Sequence, residues 1–146
     1  NFERRTRHGA TDLVNCMLNY GYAMIYPRVW QALLLRKLNP VVSVIHVPQQ
    51  GKPTFVYDVV ELFRAQAVER VVISLIQKKE PLKITDGKLG DETRKLLVRN
   101  ILERLNRYEK YRGVEMRLAD IINAQALEIA NFIDKGATYR PYVAKW

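Results

Sequence analysis

From Phe55 to Lys79 the chain runs without a single glycine or proline, and its apolar residues recur at positions 55, 59, 62, 63, 67, 68, 71, 72, 75 and 76. Spacings of three and four residues match the roughly 3.6-residue turn of an α-helix. A stripe this wide predicts a central helix buried on most of its circumference, around which the rest of the chain must pack. Pro81 closes the run.

The flanking segments read the same way. Asp12 has the short carboxylate that caps free backbone amides, and Leu13, Val14, Met17, Leu18, Met24 and Ile25 follow it at helical spacing. Pro27 reads as the first position of a second helix carrying Val29, Trp30, Leu33, Leu34 and Leu38, ended by Asn39-Pro40. The β-branched stretch from Val41 to Val47 predicts a short strand or extended connector. Residues 80–91, with Pro81, Asp86, Gly87 and Gly90, read as a loop. A strongly basic helix is expected from Glu92 to Arg112, with Leu96, Leu97, Ile101, Leu105 and Tyr108 on its apolar side. Gly113 separates it from a last helix over about 115–134, capped by Gly136. The expected fold class is therefore all-α: one helical bundle of about five to six helices with one short extended segment near 41–47.

At 146 residues the chain is the size of one ordinary globular domain. It contains one cysteine, Cys16, so an intrachain disulfide and a four-cysteine zinc site are both excluded. No apolar run reaches the ~18 residues that span a bilayer and no signal peptide is visible; with the single cysteine pointing to a reducing compartment, a cytoplasmic protein with no membrane association is expected. Lys and Arg number 24 against 15 acids, a formal net charge of +9. This balance favours nucleic acid over an acidic protein partner.

Chemistry concentrates between His46 and Arg64. His46 lies on an apolar extended segment; a Gly51-Lys52-Pro53 turn follows, and a helical run then opens with Asp58 and Glu61. Three residues apart on a helix, the two carboxylates share a face. An imidazole with carboxylate oxygens suits divalent manganese or magnesium. Each residue also has an ordinary structural role. A histidine can pack against backbone groups, and acids are favoured in a first helical turn by its dipole. Glu61, however, sits among Val59, Val60, Leu62 and Phe63, where a carboxylate needs a partner. Arg64, one turn on, can pair with Glu61 or contact a phosphate, and Lys52 is a second cation beside the constellation. The basic residues of the expected 92–112 helix suit a solvated face or a phosphate track. Tyr139, Tyr142 and Trp146 can pack the tail down or stack on bases. No Gly-rich phosphate loop, serine-nucleophile motif or usable Cys-His pair is present.

These motifs resemble those of the CRISPR adaptation integrases. Asp12-Leu-Val-Asn15-Cys-Met-Leu18-Asn19-Tyr20-Gly21-Tyr22 is similar to the family's D-P-V-N-A-x-L-N-Y-G-Y segment, with Leu13 in place of the proline. Leu38-Asn39-Pro40 resembles its G-L-x-P turn. The stretch from His46 through Gly51-Lys52-Pro53 to Asp58, Glu61, Phe63 and Arg64 resembles its metal-site signature, and Glu69-Arg70, Gln125 and Tyr139-Arg140-Pro141-Tyr142 also fit.

The resemblance implies the α-helical C-terminal catalytic domain of a metal-dependent DNA endonuclease, over residues 1–146. Such an enzyme joins the 3′-hydroxyls of spacer DNA to a CRISPR repeat by transesterification. It implies His46 and Glu61 as ligands of Mg2+ or Mn2+, with Asp58 supporting the catalytic site. Lys52 and Arg64 would hold DNA phosphates, while Asn15, Asn19 and Tyr22 would belong to the helix that backs the site on the nucleic-acid side. The implied partners are double-stranded DNA (spacer precursor and repeat), a small adaptor protein of the adaptation complex, and a second copy. That second copy would dimerise through an N-terminal β-rich domain expected outside this chain, as is the family's third metal-ligating glutamate. An isolated fragment of this kind is expected to be catalytically impaired. Two other readings stand beside it: a non-catalytic helical DNA- or RNA-binding module, and a helical protein-interaction domain.

Overall fold

The computed structural model describes residues 4–6, 9–42 and 51–143. The first helix, α1 (Leu13–Leu35), starts where expected: Asp12 is extended, at φ −93° and ψ 151°, and accepts a hydrogen bond from the Asn15 backbone amide. Pro27 does not begin a second helix but lies inside α1. A proline removes one helical hydrogen bond, whose carbonyl would belong to the residue four positions earlier. Here both Pro27 and Ala23 face solvent, while Ile25, Val29 and Leu33 anchor the opposite side in the core.

The central helix is present as one continuous rod with a local change of winding. It comprises α2 (Thr54–Arg64), a π-helical turn at Ala65–Glu69, and α3 (Arg70–Gln77). In that turn the Arg70 amide reaches the Ala65 carbonyl, five residues back. Val56, Phe63, Ala67 and Val68 are fully buried, with Val60 and Val72 almost so. The last two helices are α4 (Asp91–Asn106) and α5 (Leu118–Lys135). Gly136 takes the left-handed conformation, at φ 62°, and its amide caps α5 by donating toward Asn131 and Phe132.

The expected all-α bundle of five to six helices is corrected on two counts. The described residues contain four helical rods, because Pro27 leaves α1 whole and the π turn leaves the central rod unbroken. They also contain two antiparallel hairpins: β1 (Ile84–Thr85) with β2 (Lys88–Leu89), and β3 (Tyr108–Tyr111) with β4 (Val114–Arg117). The first replaces the expected loop. Its Asp86-Gly87 corner has φ of 51° and 70°, the paired positive values that a two-residue hairpin turn requires. The second hairpin ends the basic helix at Asn106 instead of Arg112, with Arg112 and Gly113 at φ 51° and 89°. Most of the expected extended segment near 41–47 lies outside the described residues.

The core sits where α1, the central rod, α4 and α5 meet. Gly21 is the point of nearest approach between α1 and the π turn: a Cβ there would stand 2.4 Å from Val68 Cγ1. Among the described residues no helix is long and apolar enough to cross a membrane.

Candidate functional site

Helix α2 carries the two carboxylates differently. Glu61 projects at the surface, with its side chain 45% exposed. Asp58, one turn earlier, is buried at 6% exposure. The spacing along α2 does not decide this: Val56, Val59, Val60 and Phe63 fix its inward face and both carboxylates lie off it, so the burial of Asp58 comes from what packs over that side. Lys52 is exposed in the turn leading into α2. His46 lies outside the described residues, so its distance to Glu61 is not part of this geometry.

Among the described residues no three His, Cys, Asp or Glu side chains are grouped so as to hold a metal ion. Glu61 nevertheless fits one position in an oxygen-rich set: it is an accessible, hard donor, and its Oε2 has no hydrogen bond among the described residues.

Glu61 is tied to α1 through a chain of polar contacts. Arg64 Nη1 donates to Glu61 Oε1 at 2.6 Å, and Arg64 Nη2 donates to the Tyr22 hydroxyl at 3.3 Å. Tyr22 in turn donates to Glu69 Oε1 at 2.7 Å. The Arg64 guanidinium also lies over the Tyr22 ring, 4.5 Å from its centroid, an arrangement that favours a cation. Burial opposes the Arg64 charge, but the hydrogen bonds to Tyr22 and Glu61 outweigh it and hold the guanidinium above its ordinary pKa. Burial, followed by the Glu69 carboxylate, pushes the Tyr22 hydroxyl up. It therefore remains a donor at neutral pH.

Asn15 and Asn19 serve the opposite end of this chain. Fully buried, Asn15 accepts from the Thr6 amide and Arg5 Nη1, and donates to the Arg4 carbonyl and Asp12 Oδ2. Asn19 accepts from Arg5 Nη2, whose guanidinium also lies over Tyr22, 5.4 Å from the ring centroid. Both asparagines thus fasten the chain before α1 behind the site. Glu61, Arg64, Tyr22 and Asn19 are brought into one neighbourhood, while Lys52 stays exposed at the turn before α2.

Two residues of this chain were not singled out for it by sequence. Arg5 lies in the polar lead-in before the first motif, and Glu69 read only as a matched position without a role. Five residues separate Arg64 from Glu69, which in an unbroken α-helix would put them on different faces. The π turn removes that offset. A second polar cluster joins residues that the sequence named separately. Buried Gln125 accepts from the Tyr139 hydroxyl and the Tyr142 amide, and donates to the Tyr111 hydroxyl and Arg140 carbonyl. Tyr142 stacks on Phe63, with centroids 5.2 Å apart, so the described tail is packed down. On α4, the basic side chains Arg94 and Lys95 pair with Asp91 and Glu92. This neutralises part of that face.

Residues 1–103 match the family model described as CRISPR associated protein Cas1. The chain is 35% identical over 144 residues to CRISPR-associated endonuclease Cas1 1 of Archaeoglobus fulgidus, covering 94% of this chain and 41% of that protein. It is 30% identical over 145 residues to the protein of the same name in Francisella tularensis subsp. novicida, covering 99% and 44%. The chain thus spans less than half the length of these relatives. Among solved structures, a casposase bound to its integration product superposes with a TM-score of 0.82 at 24% identity, over 99% of this chain and 46% of that one. A Cas1 protein from Thermotoga maritima does so at 0.83 and 19% identity, over 92% and 44%. At these identities the two structures establish the fold.

Proposed function

Because the chain belongs to the CRISPR-associated Cas1 family, we propose that it forms the helical catalytic part of a divalent-metal-dependent DNA endonuclease and integrase of CRISPR adaptation. The observation carrying this reading is Glu61: a surface carboxylate held on one oxygen by Arg64, within the segment that resembles the family's metal-site signature. In the reaction a DNA 3′-hydroxyl oxygen attacks a phosphodiester phosphorus. One phosphorus–oxygen bond forms as another breaks, and the proton of the attacking hydroxyl is balanced on the departing oxygen.

His46 and Glu61 would hold Mg2+ or Mn2+. Bound there, the ion supplies positive charge for the phosphoryl and leaving oxygens. Arg64 and Lys52 place permanent positive charge on either side of Glu61 in sequence and would draw DNA phosphates toward it. Asp58, one turn before Glu61, would support the catalytic site, and Asn15, Asn19 and Tyr22 would keep the backing helix in register. Double-stranded DNA is the substrate on this reading. A small adaptor protein and a second copy are its partners in the full assembly, and the cytoplasm is its compartment.

The test is duplex-DNA affinity and cleavage with and without Mn2+, for the wild type, Glu61→Ala and His46→Ala. Mn2+ should strengthen DNA binding, and either substitution should remove that increment, with a loss of about 10-fold or more. DNA affinity that falls steeply with salt but ignores both Mn2+ and Glu61→Ala would replace this reading with a non-catalytic nucleic-acid-binding module. Failure to bind duplex DNA at low salt would favour a protein-interaction domain.

A further inference from the structure

The π turn is a local departure from α-helical winding that needs a reason. π turns are rare and concentrate at functional sites. Here the turn has one clear geometric consequence. Five α-helical residues sweep about 500°, which would leave Glu69 about 140° around the rod from Arg64. With the turn in place, Glu69 Oε1 is 3.8 Å from Arg64 Nε and 2.7 Å from the Tyr22 hydroxyl. The close approach of α1 at Gly21, made against Val68 of the same turn, brings Tyr22 within reach of both.

Arg64 is consequently held on three sides. Its face rests on the Tyr22 ring, Nη2 donates to the Tyr22 hydroxyl, and the Glu69 carboxylate lies alongside Nε. That Nε is buried and has no hydrogen-bond acceptor of its own. The guanidinium is therefore oriented by a ring, a hydroxyl and one carboxylate, leaving Nη1 directed at Glu61 Oε1. A surface glutamate without such a partner would move among several rotamers.

We propose that Glu69 and Tyr22 are positioning residues, placed by the π turn to aim Arg64 so that it holds Glu61 Oε1 and leaves Oε2 directed to a ligand. The inference rests on the reading of Glu61 as a metal ligand. It adds two residues that act through Arg64 without touching the metal or DNA themselves. Partners of a ligating carboxylate orient it, and their loss typically weakens metal binding or activity by about 10- to 100-fold.

Two measurements on Tyr22→Phe and Glu69→Gln test it, with Glu61→Ala as reference. The first needs no metal: the Arg64 Nε–H resonance in nitrogen-15 spectra of the metal-free chain. It should be protected from exchange in the wild type and lose that protection in both variants. The second is Mn2+ affinity, followed by electron paramagnetic resonance of the free ion, which should fall about 10-fold in each variant. Tyr22→Phe keeps the buried ring. Glu69→Gln keeps an acceptor at a side chain 35% exposed, so it carries the test alone if Tyr22→Phe fails to fold. If the wild type binds Mn2+ and Glu61→Ala abolishes binding, while both variants match the wild type in both measurements, the positioning role is overturned. If the wild type binds no Mn2+, the metal-site reading itself fails, and the Arg64 resonance alone then decides whether Glu69 and Tyr22 orient the guanidinium.

Discussion

Asp12 performs two tasks with one carboxylate: Oδ1 accepts from the Asn15 amide, and Oδ2 accepts from the Asn15 side chain. Removing an N-cap costs about 1 kcal/mol, and here Asn15 also loses an inward partner. Asp12→Ala is therefore expected to lower stability by about 1–2 kcal/mol in urea titrations. Burial would raise the Asp12 pKa, but the Asn15 hydrogen bonds outweigh it, and the carboxyl sits below its ordinary range. Its stabilisation is thus full above the ordinary value of about 3.9 and is lost as pH falls through the lowered one. Asp12→Asn provides a cap that does not titrate. The stability gap between it and the wild type should narrow below about pH 4, and a gap constant from about pH 7 to about pH 2 would contradict the assignment. Asp12 and Gly136 were legible in sequence because a cap depends on the few residues beside it. Arg5 and Glu69 were not, because the tyrosine they meet arrives from another part of the chain.

At the level of elements, helical periodicity identified the central rod and both later helices but misplaced several ends. The Pro27 boundary failed because a proline on a solvent-facing side leaves an unpaired carbonyl that water can satisfy. The hairpins were missed for a different reason. Their strands are only two and four residues long, too short for alternation to compete with a neighbouring helical pattern. The Asp86-Gly87 pair was nevertheless a readable turn signal. The π turn has no signature in Ala65–Glu69, and its packing can be tested at Gly21. An alanine there would bring Cβ to 2.4 Å from Val68 Cγ1 and 3.1 Å from Ile101 Cδ1. Val68 is β-branched and fully buried, so it has no easy alternative rotamer. Overpacking costs about 1–3 kcal/mol, against about 1 kcal/mol recovered in helix propensity. Gly21→Ala should therefore be destabilised by up to about 2 kcal/mol in urea and should loosen the Tyr22–Glu69 contact. A stabilised variant would show that α1 and the π turn are not held this closely.

Across the whole molecule, Arg104 links parts that are distant in sequence. Buried on α4, it donates from Nε to the Gln66 carbonyl and from Nη2 to Gln66 Oε1 and Glu109, while Glu109 also accepts from the Tyr142 hydroxyl. Helix α4, the π turn and hairpin β3–β4 thus converge on one guanidinium, and the tail joins them through Glu109. Arg104→Ala would leave Glu109 without its countercharge, and breaking a buried pair on one side costs about 3 kcal/mol or more. Urea titration should show a loss near that size, and adding Glu109→Gln should recover part of it; additive losses would exclude the coupling. The sequence by itself determined the helical character, the central buried rod, the caps of α1 and α5, and the family to which the motifs point. The first three follow from local spacing and short-range hydrogen bonding, and the last from the likeness of the motifs to those of a known family. Tertiary structure alone decided that Asp58 turns inward while Glu61 meets solvent, that Arg64 is aimed by Tyr22 and Glu69, and that Arg104 and Glu109 together join four elements. Each of those depends on where a second segment lies in space, and a change of helical winding over five residues is enough to move it.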